Sequence, residues 1–183
     1  MRILGYFQIS TWRLAWGVGV LLLAACAGNP DALPSGTPRD KVLATYGMPT
    51  AIWPLQAAAG RSEERGGERL QYSNQPWGQQ VYNVDLDSSG RVVATAQVMT
   101  QAAFAAVQID QWRTQDVQHA FGKPALIARV HSFDGIVWSY RYAEPFGLNK
   151  QFHVFIDATG LVKRTQVTDE PDPADDRITS LRR

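Results

Sequence analysis

The chain has 183 residues, of which 45% are hydrophobic and 19% charged, and its net charge is +1. This composition is ordinary for a globular protein, and the near-zero charge excludes the basic footprint of a nucleic-acid-binding protein. The only cysteine is Cys26, which excludes an intrachain disulfide.

The first 25 residues predict a secretory signal peptide. Arg2 and Arg13 supply a basic region without any acidic residue, and the apolar run from Leu14 to Ala25 is too short for a stable membrane span. Because removal of residues 1–25 takes away two positive charges and no negative one, the remaining chain has a net charge of −1.

The apolar run ends in Leu23-Ala24-Ala25-Cys26, which resembles the bacterial lipobox. That resemblance implies a diacylglyceryl thioether and an acylated amine on Cys26. Two or more acyl chains give stable anchoring, since each buried methylene contributes about 0.8 kcal/mol. Ala27 rather than Asp follows the cysteine, so the resemblance implies the outer membrane, facing the periplasm. The alternative is a free or buried thiol behind an ordinary signal peptide.

Two segments lack the apolar pattern of folded structure. Three prolines and two glycines fall between Ala27 and Pro38, which is typical of a tether. Near the other end, "TDEPDPADDR" holds five acids and two prolines, a composition that favours a disordered tail.

The chain between these segments repeats itself. "GTPRDKVLATYGMP" begins at Gly36 and "QWRTQDVQHAFGKP" begins at Gln111, and each predicts a short helix. An apolar residue and an aromatic four positions later share one helix face, and Gly followed by Pro ends the helix. The matched positions are Val42 and Val117, Tyr46 and Phe121, Gly47 and Gly122, and Pro49 and Pro124.

A strand and a hairpin follow each helix, and then a Pro-aromatic-Gly connection leads to two more strands around the turns "DSSG" and "DATG". An extra helix is expected over 100–107. Alternation places two matching sets of apolar residues on one sheet face. They are Tyr82, Val84 and Leu86 in the first unit and Phe152, Val154 and Ile156 in the second.

We therefore expect an α+β fold of two tandem units, each a helix plus an antiparallel meander. A unit of about 65 residues is marginal alone, so we expect the two to pack together. The predicted organisation is a signal peptide over 1–25, a lipidated tether over 26–37, repeats over 38–99 and 100–168, and an acidic disordered tail over 169–183.

The helix segment "GTPRDKVLATYGMP" resembles the signature of the SmpA/OmlA family of small outer-membrane lipoproteins, which includes BamE of the β-barrel assembly machinery. "LQYS" and "VWSY" resemble that family's second strand, and "VDLDSSGRV" and "VFIDATGLV" its closing hairpin. Gln111 and Trp112 depart from the pattern, which usually has Gly and Met there. The duplication is similar to the tandem repeat of the β-lactamase inhibitor protein. The resemblance implies a binding role without catalysis.

The candidate binding residues are Trp77 and Phe146, the aromatics of the two Pro-aromatic-Gly connections. One interpretation is that they close the ends of their own sheets, and the other is that they anchor a partner protein or lipid headgroups. Asp87 and Asp157 fit hydrogen bonding to their own turns better than catalysis. His119, His131 and His153 lack metal-ligand spacing, so we expect no metal, no cofactor and no enzyme activity.

Three functional hypotheses remain open. The first is a membrane-anchored lipoprotein that binds envelope proteins, in barrel assembly or envelope integrity. The second is an inhibitor or small-ligand binder that uses a concave face, and the third is an envelope hydrolase. An exposed aromatic patch near the tethered end would favour the first, a deep apolar groove between the units the second, and a pocket with a perturbed carboxylate or histidine the third.

Overall fold

The computed structural model describes residues 30, 33–55 and 66–171. Over these residues the chain forms three α-helices and two four-stranded antiparallel sheets, which makes the fold α+β as expected. The predicted signal peptide, the predicted lipidation residue Cys26 and residues 172–183 of the predicted tail lie outside the described residues.

The first unit carries one helix against a sheet with the strand order β1-β2-β3-β4. Its elements are α1 (Arg39–Tyr46), β1 (Ala51–Pro54), β2 (Glu68–Ser73), β3 (Val81–Leu86) and β4 (Val92–Gln97).

The second unit repeats this order with longer central strands, and its sheet runs β5-β6-β7-β8. The short helix α2 (Gln101–Ala105) joins the units, as expected. The other elements are α3 (Thr114–Phe121), β5 (Leu126–Ala128), β6 (Gly135–Ala143), β7 (Asn149–Asp157) and β8 (Val162–Asp169), with a 3-10 turn over Pro145–Gly147.

The helices α1 and α3 begin and end in equivalent ways. Gly47 and Gly122 follow the helices with φ of 75° and 76°, a conformation that side chains resist. At the helix starts, isolated bridges join Pro38 to Arg91 and Arg113 to Leu161. Gln111 and Trp112 depart from the sequence pattern of the SmpA/OmlA family, but α3 still begins in the same way as α1.

Two apolar clusters form the core. The smaller one lies between α1 and the first sheet and centres on Val42, Leu70 and Val84, each fully buried. The larger one lies on the second sheet, where Phe104 of α2 stacks on Phe152 at a centroid distance of 4.0 Å. The larger cluster includes Val81 and Met99, so apolar residues that begin β3 and follow β4 pack into the core of the second unit.

The C-terminal end of α3 contacts the first sheet on the face opposite α1. The carbonyl of His119 accepts hydrogen bonds from Arg69 (3.3 Å) and Gln71 (3.3 Å), and Asn83 donates to the carbonyl of Ala120 (2.9 Å). Gln71 and Asn83 are nearly fully buried and bond to each other at 3.0 Å. Alternation along β2 and β3 thus turns Arg69, Gln71 and Asn83 towards α3, whereas Leu70 and Val84 face α1.

Two expected boundaries shift. The tether was expected to reach residue 37, but Leu33 packs on the first core and the amide of Gly36 donates to the carbonyl of Val92 at 2.7 Å. The tail was expected to begin at residue 169, but β8 includes Asp169, and Glu170 forms an ion pair with Arg141. In both cases backbone hydrogen bonds to a sheet order residues whose composition alone favours disorder.

None of the helices in the described parts of the chain has the length and apolar character needed to cross a bilayer.

Candidate functional site

The candidate site consists of the two Pro-aromatic-Gly connections, which we call the connectors. The first connector (residues 74–80) joins β2 to β3, and the second connector (residues 144–148) joins β6 to β7. Each is closed by backbone hydrogen bonds. The amide of Asn74 donates to the carbonyl of Gln80 at 3.0 Å, and the amide of Glu144 donates to the carbonyl of Leu148 at 2.9 Å. These bonds give both connectors a defined backbone.

Arg141 of β6 holds the first connector against the second sheet. Its Nη1 donates to the carbonyls of Pro76 (2.9 Å) and Trp77 (3.3 Å). Its backbone amide donates to Oε1 of Gln75 (3.2 Å), and its carbonyl accepts from Nε2 of the same side chain (2.6 Å). Since β5 pairs with β6 only as far as Ser139, the Gln75 amide takes the place of a neighbouring strand at the open edge of β6.

The connectors lie side by side. Gln79 of the first connector donates to Asn149, the residue that directly follows the second connector, at 2.9 Å. The same amide approaches Glu170 at 3.4 Å, and Glu170 in turn pairs with the guanidinium of Arg141. The Glu170 side chain is only 13% exposed, so this ion pair is partly shielded from water. Residues far apart in sequence therefore fix both connectors to one edge of the second sheet.

Both candidate aromatics project into solvent. Trp77 is 91% exposed and Phe146 is 103% exposed, and Leu148, two residues after Phe146, is 56% exposed. The interpretation that these rings close the ends of their own sheets is therefore wrong. Side chains of this size make their main energetic contribution when buried, so full exposure of two of them on fixed connectors is typical of a contact surface.

The backbone at Phe146 is also unusual. Phe146 has φ 73° and ψ 15°, a left-handed conformation that costs an L-residue about 1–2 kcal/mol. Neither burial nor intrinsic preference compensates for this cost. Strained residues of this kind cluster at functional sites.

The connectors lie away from the point where the chain arrives from Cys26. Gly36 and Ser35 bond to the carbonyl of Val92, which pairs with Leu86 at one end of β3. The first connector leads into Val81 at the other end of β3. An exposed aromatic patch near the predicted tether would have favoured an envelope-protein binder, but the exposed aromatic residues lie at the opposite end of the first sheet.

The histidines occupy three different environments. His119 lies between the units, with its Nδ1 at 3.4 Å from Arg69 and its ring edge-to-face with Trp53. Burial, together with the Arg69 charge, lowers the pKa of His119 below its usual 6.5. His131 is exposed in a turn. The described residues contain no group of three potential metal ligands.

His153 was expected to be exposed, but it is only partly so. Its Nδ1 lies 2.8 Å from the hydroxyl of Ser139 and its Nε2 lies 2.9 Å from the hydroxyl of Thr168. Burial lowers the pKa of His153. In a hydrolase triad the histidine bonds to a serine on one side and to a carboxylate on the other. His153 instead bonds to two hydroxyls, those of Ser139 and Thr168, so these three residues do not form such a triad.

Asp87 and Asp157 bond to their own turns, as expected. Oδ1 of Asp87 accepts from the amides of Ser89 (2.9 Å) and Arg91 (3.0 Å), and Oδ1 of Asp157 accepts equivalent bonds from Thr159 and Leu161. These hydrogen bonds lower the pKa of both carboxyl groups, with the Arg91 amide contributing most at Asp87 and the Thr159 hydroxyl at Asp157. Both carboxylates have a structural role.

The groove between the units is small. It has a volume of about 200 Å³, and its wall on the first sheet carries the ion pair of Arg69 and Asp85, with Nε and Oδ1 2.6 Å apart. Ligand sites usually measure about 300–1,000 Å³ and are mostly apolar. This groove therefore differs from the deep apolar groove that would favour a small-ligand binder.

No family model and no curated protein matches this sequence. Among solved structures, the chain is similar to a DUF4309 family protein (YjgB) from Bacillus subtilis. The similarity has 15% identity and a TM-score of 0.26, and it covers 73% of this chain and 79% of that one. A superposition of this quality neither supports nor opposes the resemblance to SmpA/OmlA lipoproteins.

Proposed function

We propose that this chain is an outer-membrane lipoprotein, facing the periplasm, that binds another envelope protein through its two connectors. The observation that carries the proposal is the near-complete exposure of Trp77 and Phe146 on neighbouring connectors. Aromatic side chains are enriched among the residues that dominate binding energy at protein interfaces. The lipobox-like sequence at Cys26 supports anchoring in the outer membrane. A protein anchored there would meet other envelope proteins, which is why we propose an envelope protein as the partner.

The direction of the connectors favours a protein over lipid headgroups. Cys26 is seven residues before Leu33, which allows a span of about 25 Å when fully extended. The chain then joins the end of the first sheet at Val92, whereas the first connector leaves the opposite end at Val81. The first connector therefore lies at the end of the first sheet that is farther from the proposed anchor, and we expect Trp77 to face proteins in the periplasm.

The finer part of the fold proposal is that the two units pack as a tandem BamE-like pair. The bonds from Arg69, Gln71 and Asn83 to the end of α3 support it. Arg141 and Gln75 add a second contact between the units, at the connectors. Members of the β-barrel assembly machinery are therefore the partners to examine first, through the resemblance to SmpA/OmlA lipoproteins.

A pull-down from detergent-solubilised envelopes tests the proposal. We expect the full chain to retain an envelope protein that a Trp77→Ala/Phe146→Ala variant loses at least ten-fold. Val93→Ala is the matched control, because Val93 is 53% exposed and lies next to Val92, away from the connectors. Equal recovery with both connector aromatics removed would show that the contact surface lies elsewhere.

A further inference from the structure

A cleft lies directly beside the second connector. It has a volume of about 440 Å³ and lies between the segment that links β4 to α2 and the end of β6. This volume is at the small end of the range for ligand sites, which suits one long side chain rather than a whole cofactor. Its lining consists of Gln97, Met99, Thr100, Gln101, Tyr142, Ala143, Glu144 and Pro145.

Glu144 gives the cleft a carboxylate that is only half used. Its Oε1 accepts hydrogen bonds from Gln101 (2.6 Å) and from the hydroxyl of Tyr142 (3.2 Å). Its Oε2 has neither a hydrogen-bond partner nor an ion-pair partner among the described residues. Burial, and then the bond to Glu144, raises the pKa of Tyr142 to about 12, so this hydroxyl stays protonated and donates to the carboxylate.

Neighbouring cations are committed elsewhere. Lys150 is close enough for Glu144 to raise its pKa, but the larger cause is Asp169, whose Oδ1 lies 2.5 Å from the ammonium. Arg141 is paired with Glu170. The carboxylate of Glu144 is therefore positioned by two neutral donors and lacks a cation of its own.

We propose that this cleft binds an arginine or lysine side chain of the partner protein, beside the contact made by Phe146. The aliphatic stem would lie along Pro145, and the charged head would bond to the free oxygen of Glu144. Phe146 follows Pro145 in the chain, so the aromatic anchor and the cation site are adjacent. The inference rests on the proposed function and adds the chemistry of the partner: a basic residue next to an apolar one.

The probe is N-acetyl-arginine methylamide, compared with its neutral isostere N-acetyl-citrulline methylamide. Both are titrated into the full chain in detergent and followed by amide NMR. We expect saturable shifts at Gln101, Tyr142 and Glu144 with the arginine compound, and at least five-fold weaker binding of the citrulline compound. Equal affinity for the two compounds would overturn the proposal.

Two variants test the site itself. Glu144→Gln keeps an oxygen for Gln101 and Tyr142 but removes the charge, so we expect at least five-fold weaker binding of the arginine compound. Asp134→Asn is the matched control, because it removes a carboxylate from an exposed turn. If Glu144→Gln disturbs the fold, Ala143→Leu fills the cleft from an exposed position and is expected to block the probe. Unchanged binding in the folded variant would overturn the proposal.

The remaining outcomes separate this inference from the proposed function. A variant that ends at Pro171 lacks three arginines of the tail. If it binds the probe five-fold more tightly, the chain's own tail occupies the cleft, and the proposal that a partner's basic residue binds there is overturned. Loss of the partner with Trp77→Ala/Phe146→Ala, but no preference for arginine over citrulline, would overturn only the cation site. Arginine binding without any partner in the pull-down would support the cation site and contradict the proposed function.

Discussion

Replacing Phe146 with asparagine separates the stability of the fold from the proposed binding function. The left-handed backbone of Phe146 costs about 1–2 kcal/mol, and asparagine tolerates it far better because its short polar side chain bonds locally. The ring is 103% exposed, so its removal loses no burial. We expect Phe146→Asn to raise the free energy of unfolding by about 0.5–1 kcal/mol and Tm by roughly 1–4 °C.

Urea denaturation and the pull-down measure the two effects separately. Phe146→Ala is the control, because it removes the same ring but keeps the unfavourable conformation, and its stability should stay within about 0.5 kcal/mol of the parent. Both variants should lose the partner. A loss of stability above about 1 kcal/mol in Phe146→Asn would show that the ring packs against the protein, and retention of the partner would show that it is not a contact.

Three further predictions concern the contacts that hold the units and connectors. Arg141→Met should lower the free energy of unfolding by about 2–3 kcal/mol, because it leaves the shielded Glu170 carboxylate and two connector carbonyls without their guanidinium partner. Urea denaturation measures this change, and a loss below about 0.5 kcal/mol would contradict it. Gly47→Ala and Gly122→Ala introduce the same backbone strain, but a Cβ at Gly122 lies 3.0 Å from Oε1 of the buried Gln71 and one at Gly47 meets nothing within 4 Å. Gly122→Ala should therefore be the more destabilising by about 1 kcal/mol, and equal melting temperatures would contradict the contact. Burial holds the pKa of His119 and His153 below 6.5, so both take up protons more readily when unfolded. Stability should be full above pH 6.5 and fall as the pH drops below that value, and a melting temperature that does not fall on acidification through pH 6.5 would refute the stated environments.

The repeat made much of the fold accessible from sequence. Val42 and Val117 are fully buried on their helices, and the glycines that follow those helices adopt the expected positive φ. The strand residues Phe152, Val154 and Ile156 all lie in the core. These features depend on local periodicity and turn chemistry, which a single sequence carries.

The contacts between the units could not be predicted in the same way. Gln71, Asn83 and Arg141 alternate with apolar residues on their strands, which for a single sheet indicates a solvent-facing position. In the structure, two of them bond to α3 and the third holds the first connector. Their role depends on a second unit that covers the polar face, and periodicity does not reveal such a neighbour.

The exposure of Trp77 and Phe146 also could not be predicted from the sequence. Residue type favours burial of Trp77 and Phe146, and both interpretations were compatible with the Pro-aromatic-Gly pattern. The outcome depends on Arg141 and Gln79, which fix the connectors at the sheet edge and leave the rings outside. Glu144 and its cleft were missed because the residues that line it come from two distant segments.

Photo-cross-linking in the intact envelope tests the central claim most directly. Benzoylphenylalanine is placed at position 77, at position 146 or, as the control, at position 93, and the products are separated after irradiation. We predict the same cross-linked envelope protein from positions 77 and 146 and none from position 93. Cross-links only to lipid from both connector positions, or an equal product from position 93, would contradict a protein-binding surface at the connectors.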